Sequence, residues 1–204
     1  MTTTVAPVLP FTDNPEANRL LGEDPLALLI GYALDQQITV QHAFSGPWEL
    51  RRRIGHLDPA RIAAMDPGEL EQVFRQRMAL HRYPAAMAQR VAALCRVISD
   101  QYGGDASRIW SEARDGADLE ARLLALPGIG PMKVAGLLAI LFKRFGVALP
   151  GLAERLPTWP TLGDVDTPEA LEQYQAQKRA YKASMRAAAA GRGARTSEAR
   201  RPAR

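Results

Sequence analysis

The stretch LPGIGPMKVAGLLAIL, residues 126–141, places two glycines and two prolines between apolar segments with helical spacing. Pro127 disfavours helical geometry for the residue before it, and so it ends the first segment. Gly128 and Gly130 permit positive φ angles and leave no Cβ in the path of a ligand. Pro131 suits the first turn of the next helix, whose free N–H groups carry a positive partial charge. The pattern predicts a helical hairpin that can bind phosphate through backbone donors.

The hairpin as a whole is predicted to span residues 118–145, with Leu119, Leu123 and Leu124 facing inward and Ile129 pinning the loop to the core. Its contacts with DNA would be to phosphate, which positions a duplex without reading its sequence. The residues expected to bind DNA here are Leu126, Pro127, Gly128, Ile129, Gly130, Met132 and Lys133. The alternative is a glycine-rich turn between two helices that binds no ligand.

Composition excludes several classes of protein. Hydrophobic residues make up 47% of the chain and charged residues 24%, which is typical of a globular protein. The longest apolar run, residues 134–142, is too short to cross a bilayer, and the N-terminus lacks the features of a signal peptide. Cys95 is the only cysteine, so an internal disulfide and a four-cysteine iron–sulfur cluster are excluded. We expect a cytoplasmic protein, associated with the nucleoid if it is bacterial.

The net charge of +4 is unevenly distributed along the chain. Residues 178–204 contain nine Lys or Arg and one acid, a net charge of +8, whereas residues 1–177 contain 17 basic and 21 acidic residues. A basic tail suits nucleic acid because its binding releases counterions. The alternative is a disordered extension that only keeps the protein soluble.

Helix-start signals recur along the chain. Asp-Pro or Thr-Pro pairs at Asp24, Asp58, Asp66 and Thr167 each place a capping side chain before a proline at the first helical position. The sequence therefore predicts an all-α fold, with a flexible arm over residues 1–13, a helical domain over 14–190 and a disordered basic tail over 191–204. The predicted helices cover residues 14–22, 25–35, 38–45, 47–54, 59–64, 67–76, 84–102, 117–125, 131–145 and 168–189.

Three segments together resemble one known family. They are the hairpin, LLIGYALDQQITVQHAF at residues 28–44, and LHRYPAAMAQRVAALCRVI at residues 80–98. The chain is similar to the base-excision DNA glycosylases of the helix–hairpin–helix (HhH-GPD) superfamily, which includes endonuclease III, the adenine glycosylases and the 3-methyladenine glycosylases. The resemblance covers roughly residues 25–146. It implies two helical lobes around a central groove, and double-stranded DNA with a damaged or mismatched base as the partner of a monomeric protein.

The resemblance also implies base flipping followed by cleavage of the N-glycosidic bond, with a carboxylate near the sugar. In the family that aspartate follows the hairpin by about twenty residues. Here ALPGLAERL, residues 148–156, has only Glu154 at that distance. Asp166 is the main candidate, because DVDTPEAL starts a helix as the family's aspartate does; alternatively Asp166 only caps that helix. Asp164 is expected to be a turn residue.

A strand-cleaving lyase activity is not expected. In relatives with this activity the lysine lies two residues after the second glycine, where this chain has Met132. Lys133 follows one residue later, a rotation of roughly 100° around the helix, so it is a weak catalytic candidate and suits a phosphate contact better.

Four polar or aromatic residues are candidates for the DNA face. Gln36 and Gln37 can donate and accept hydrogen bonds, so either could fill the gap left by a flipped base. Tyr83 and His81, just before the long middle helix, could line the base pocket, although such residues also pack at core edges. His42, His56 and His81 have no metal-ligand spacing, so no metal is expected, while the resemblance allows a monovalent cation at the hairpin.

The function expected from these features is a monofunctional DNA glycosylase. The alternative is a catalytically inactive relative that binds damaged or distorted duplex DNA.

Removal of residues 191–204 should weaken the salt dependence of duplex binding, because fewer counterions are released when fewer cations contact phosphate. The measurement is the slope of log affinity against log salt for the full chain and the truncated one. An unchanged slope would mean that the tail does not contact DNA.

Overall fold

All regular secondary structure in the described part of the chain is helical. The computed structural model describes residues 6–180 and residue 183. The α-helices are α1 (Pro15–Glu23), α2 (Pro25–Leu34), α3 (Val40–Ile54), α4 (Pro59–Ala64), α5 (Pro67–Arg75), α6 (Pro84–Tyr102), α7 (Arg108–Ser111), α8 (Gly116–Leu124), α9 (Pro131–Lys143) and α10, described over residues 168–180. Within this part of the chain, no helix has both the length and the apolar character needed to cross a bilayer.

The predicted capping side chains start their helices as expected. Asp24 accepts hydrogen bonds from the N–H groups of the first turn of α2, at 2.9 Å from Leu26 N. Asp58 and Asp66 cap α4 and α5 in the same way. At α10 the capping group is the hydroxyl of Thr167, which accepts from the N–H of Ala170 at 3.1 Å. Each cap satisfies donors that the helix itself leaves free.

Helix α2 lies at the centre of the core. All of its residues from Leu26 to Leu34 are buried. Gly31 lets the ring of Phe44 on α3 approach so closely that an added Cβ would lie 2.6 Å from it. Tyr32 packs edge-on against the same ring, at 5.2 Å between centroids. The apolar stripe of α6, which includes Cys95, covers α2 from another side, so Cys95 is a core residue as predicted.

A second close contact joins α9 to α2. An added Cβ on Gly136 would lie 2.7 Å from the hydroxyl oxygen of Tyr32. An added Cβ on Gly163 would likewise lie 2.6 Å from the backbone of Ala139 in α9. Gly163 belongs to a short 3-10 helix, Leu162–Asp164, that leads into α10. Helix α9 thus packs closely against both α2 and the segment before α10.

The predicted flexible arm over residues 1–13 is wrong for its described part. Leu9 and Phe11 are fully buried, and the ring of Phe11 packs edge-on against Phe44 at 5.1 Å. Pro7 lies against Gly22 of α1 so closely that a side chain at Gly22 could not fit. Apolar residues of this segment therefore extend the core. The predicted tail, residues 191–204, lies outside the described residues.

Other differences concern helix bounds and inward-facing residues. The two helices predicted on either side of Pro47 form the single helix α3, because a helix can continue through a proline at some cost. Helix α7 was not predicted, and α9 ends at Lys143 rather than residue 145. Leu124, predicted to face inward, is 49% exposed at the last turn of α8.

Candidate nucleic-acid interface

The loop between α8 and α9, residues 125–130, is a tight turn anchored by its apolar residues. Leu126 and Ile129 are buried, and the N–H of Ile129 donates to the carbonyl of Leu126 at 3.1 Å. Gly128 has a φ of 83°, which disfavours residues with a Cβ. The apolar side chains hold the loop on the core while its glycines remain at the surface. We call residues 125–130 the hairpin loop.

The start of α9 leaves backbone donors available. Gly130 occupies the N-cap position and has no side chain to accept hydrogen bonds. The N–H groups of Lys133 and Val134 donate to the carbonyl of Gly130 at 2.9 and 3.0 Å. Among the described residues, none accepts from the N–H of Gly130 or Met132. These donors and the positive end of the helix dipole can bind an anion that approaches the loop.

The side chain of Lys133 folds back over the hairpin loop. Its ammonium group donates to the carbonyl of Gly128 at 2.9 Å and lies 3.5 Å from the carbonyl oxygen of Ala33 near the end of α2. The pKa of Lys133 is lowered to about 8, chiefly by burial; the positive charges of Arg90 and Lys178 also lower it, and Asp35 raises it. Lys133 therefore joins the hairpin loop to α2 and adds positive charge there.

The chain turns sharply where α2 ends. Asp35 is the C-cap residue, and the N–H of Gln36 donates to the carbonyl of Leu34 at 2.6 Å. Gln37 has a φ of 59°, which is unfavourable for a residue with a side chain. Gln36 and Gln37 are both exposed. We call residues 35–37 the glutamine turn, and its strained backbone holds two amide side chains at the surface.

His81 holds the glutamine turn against the segment before α6. The side chain is buried, and its Nε2 lies 2.9 Å from the carbonyl oxygen of Gln36. Its Nδ1 accepts from the N–H of Tyr83 at 3.0 Å, so Nε2 carries the proton and the ring is neutral. Both ring nitrogens are thus used within the protein. Tyr83 itself is 42% exposed, and its hydroxyl group lies 3.3 Å from Oε1 of Gln37.

Arg90 on α6 links the glutamine turn to the hairpin loop. Its guanidinium group donates to Oε1 of Gln36. Its side-chain carbons run past Gly128, where an added Cβ would lie 2.4 Å from Cδ of Arg90. Residues predicted for the same face from three distant parts of the sequence are therefore neighbours. The residues brought together are Gln36, Gln37, His81, Tyr83, Gly128 and Lys133.

A cluster of charged and phenolic side chains beside this face was not predicted. We define the Asp35 cluster as Asp35, Lys133, Tyr174 and Lys178. Asp35 pairs with Lys178 of α10 at 3.6 Å between Oδ2 and Nζ, and 15% of its side chain is exposed. The ammonium group of Lys178 also lies over the ring of Tyr174, at 5.5 Å from its centre.

The electrostatics of the Asp35 cluster reflect partial burial. Burial lowers the pKa of Lys178, but Asp35 and Tyr174 outweigh this effect and raise it. For Tyr174, burial acts in the other direction and raises the pKa of the phenol. Tyr32 lies beneath the cluster, and none of the described residues gives its buried hydroxyl group a hydrogen-bond partner. The only sequence signal for this cluster was the single acid at the end of the apolar helix α2.

The structure does not bring the predicted carboxylates to the hairpin loop. Glu154 is exposed and lines a shallow depression beside Asp115 and Ala117, at the start of α8. The hairpin loop follows the other end of α8, roughly 13 Å away along a nine-residue helix.

Asp166 lies towards the opposite end of α9 from the hairpin loop. It is exposed, and it follows Asp164, which forms an ion pair with Lys143 at the last turn of α9. Helix α9 has 13 residues and is roughly 20 Å long. Asp164, predicted as a turn residue, ends a 3-10 helix and accepts from the N–H of Thr161 at 2.8 Å.

No group of three or more potential metal ligands is found in the described residues. The absence of a cofactor and the monovalent cation at the hairpin both remain predictions. Lys133 already donates to the carbonyl of Gly128, an oxygen that such a cation would also approach.

Comparison of the chain with models of known protein families gave no match, and neither the curated proteins nor the solved structures contained a significant match.

The two glycines of the hairpin loop should respond differently to alanine. Gly128→Ala should destabilise the protein by roughly 1–2 kcal/mol, because φ is positive and Arg90 occupies the space. Gly130→Ala should cost less than about 1 kcal/mol, because φ is negative there and the space is open. Urea unfolding measures both changes.

The same two glycine variants separate an effect on folding from an effect on ligand binding. Gly130→Ala places a methyl group in the open space before α9, so it should weaken duplex binding about tenfold in a folded protein, roughly 1.4 kcal/mol. Unchanged binding in Gly130→Ala would mean that no ligand closely approaches this backbone.

Stability should fall as the pH drops below about 6.5. Burial holds the pKa of His81 below its usual value of 6.5, and His56 is lowered in the same way. The unfolded chain therefore binds protons first, and each histidine contributes a slope of up to about 1.4 kcal/mol per pH unit.

His81→Asn should reduce this slope, as measured by urea unfolding between pH 5.5 and 8, and His56→Gln, measured beside it, gives the separate contribution of the second histidine. A slope equal to that of the wild type in His81→Asn would show that His81 does not titrate as its buried position implies.

Proposed function

We propose that this protein binds duplex DNA at a damaged or mismatched base and removes that base by hydrolysis of the N-glycosidic bond. The fold proposed for it is that of the helix–hairpin–helix glycosylases, with two helical lobes around a groove. The observation that carries the proposal is the link made by Arg90, which joins the glutamine turn to the hairpin loop.

The chemistry of this face suits a distorted duplex. The hairpin loop offers free N–H groups at a helix start, which can bind a phosphate of any sequence. The glutamine turn offers exposed amides, which can pair with an unpaired base or replace an extruded one. The two groups are held together by Arg90, so phosphate binding and contact with the gap in the duplex can occur at once.

The charges around the face favour a polyanion. Arg82 is exposed and stacks on the ring of Tyr83 at 5.0 Å, and Lys133 and Arg90 lie beside the hairpin loop. Cations near a phosphate backbone increase affinity by releasing counterions. An exposed tyrosine next to an arginine can also stack on an unpaired base.

A catalytically inactive DNA-binding protein is the second candidate. It is favoured by the positions of Glu154 and Asp166, because neither carboxylate lies near the hairpin loop. Hydrolysis of a glycosidic bond requires stabilisation of positive charge on the sugar, which a nearby carboxylate usually provides. The two candidates predict the same binding and differ only in whether a base is released.

Two variants of Gln37 test the proposed DNA contact. Gln37→Ala and Gln37→Gly both remove the amide, but only glycine relieves the unfavourable φ of 59°. Both should bind a duplex with an abasic gap about tenfold more weakly, roughly 1.4 kcal/mol, and an intact duplex almost as well as the wild type. Gln37→Gly should be more stable than Gln37→Ala by roughly 1 kcal/mol.

Base release is measured separately with the wild type. The substrates are duplexes that carry uracil, thymine opposite guanine, 8-oxoguanine, adenine opposite 8-oxoguanine, hypoxanthine or an alkylated adenine, followed by alkali to cut abasic sites. Release from one of them supports the enzyme. Binding without release from any of them supports the second candidate, and no preference for damaged duplex over intact duplex contradicts both.

A further inference from the structure

The carboxylate of Asp35 occupies an electrostatically unfavourable place in the fold. Asp35 is the C-cap residue of α2, where the helix dipole is negative, and the last turn of α2 has no basic residue. A negative charge at this end of a helix is destabilising. The protein offsets the charge with Lys178 from α10 and with the field of Lys133 from α9. Three separate elements therefore converge on one carboxylate.

Among the described residues, the hydrogen-bonding capacity of the Asp35 side chain is largely unused. A carboxylate can accept about four hydrogen bonds. In the described part of the chain the nearest partner of Asp35 is Lys178, at 3.6 Å, which is longer than a good hydrogen bond. The side chain is only 15% exposed, so little water surrounds it. A group that enters beside it would find an accepting and partly desolvated anion.

Asp35 is linked to both parts of the candidate interface, the glutamine turn and the hairpin loop. It precedes Gln36, whose side chain binds Arg90 next to the hairpin loop. Lys133, whose pKa is influenced by Asp35, donates to Gly128 within that loop. Asp35 is thus linked to the glutamine turn as its first residue and to the hairpin loop through Lys133, whereas Glu154 and Asp166 have no such link within the described part of the chain.

We propose that Asp35, rather than Asp166 or Glu154, supplies the carboxylate that faces C1′ of the extruded nucleotide. This inference rests on the proposed function, because it assigns a residue to that reaction. Lys178 acts as a positioning residue that pairs with the carboxylate and offsets part of its charge.

The reaction balances with water as the only other reactant. The bond between C1′ and the base nitrogen breaks, and its electron pair leaves with the base. Positive charge develops on C1′ and the ring oxygen, and Asp35 stabilises it. Water adds its oxygen to C1′ and gives a proton to Asp35, from which the proton passes to the released base. The products are an abasic deoxyribose and the free base.

The test uses two abasic duplexes, so it does not depend on which base is removed. In one the abasic residue is a pyrrolidine, which is cationic at neutral pH and resembles the charged sugar. In the other it is an uncharged tetrahydrofuran. The full-length wild type should bind the pyrrolidine duplex about tenfold or more tightly than the tetrahydrofuran duplex, because a carboxylate close to the cation attracts it.

Variants then assign this preference to a residue. Asp35→Asn should lose the preference while its binding of the tetrahydrofuran duplex changes little, and Asp166→Asn and Glu154→Gln should keep it. Lys178→Gln leaves Asp35 without its ion-pair partner, so the preference should increase. The increase expected in Lys178→Gln is opposite to the loss expected in Asp35→Asn. It therefore tests the role of Asp35 even if thermal unfolding shows that Asp35→Asn is not folded.

Each result separates this inference from the proposed function. A preference that persists in folded Asp35→Asn, or that fails to rise in Lys178→Gln, overturns the role of Asp35. A wild type that binds both abasic duplexes equally, and better than intact duplex, also overturns that role while DNA binding stands. A wild type that does not bind abasic duplex better than intact duplex contradicts the proposed function, and the inference fails with it.

Discussion

The close contact between Tyr32 of α2 and Gly136 of α9 sets the geometry of the candidate interface. A side chain at Gly136 would overlap the hydroxyl group of Tyr32, so glycine allows the two helices to approach. Lys133 lies three residues earlier, less than one turn of helix closer to the hairpin loop. Its ammonium group therefore reaches the last turn of α2 as well as the loop itself. Lys133 thus adds a second link, beside the one made by Arg90, between the hairpin loop and the segment that leads to the glutamine turn.

Much of the fold follows from local signals in the sequence. The Asp-Pro pairs define helix starts because the cap and the proline act within a few residues, whatever the rest of the chain does. The hairpin loop and the stripe of α6 that contains Cys95 could be predicted for the same reason. Residues such as Leu9 and Phe11 could not, because an apolar pair outside any helix becomes core only when the surrounding helices leave a place for it.

The residues of the candidate site also divide into those that a local sequence pattern predicts and those that become neighbours only after folding. Gln36, Gln37 and the glycines were predicted from their own segments, and the structure places them side by side through Arg90, whose role no local pattern indicates. The Asp35 cluster depends on three elements that meet only after folding, so its members could not be grouped from the sequence. Glu154 was chosen by its distance along the chain and Asp166 because it precedes a helix start. Neither signal measures distance in space once short 3-10 helices intervene.

Several features of this face reduce stability, and all of them lie at the glutamine turn or beside it. Gln37 adopts a positive φ, and Asp35 places a negative charge at the negative end of a helix. Burial of Tyr32 leaves its hydroxyl group without a partner among the described residues. Unfavourable groups persist in a folded protein only where the surrounding packing compensates for them, and such positions concentrate at functional sites. Helix α2 provides that compensation, because its burial on all sides fixes the turn that follows it. The rigidity of the core thus allows an exposed amide pair and a partly desolvated carboxylate to keep fixed positions beside the hairpin loop.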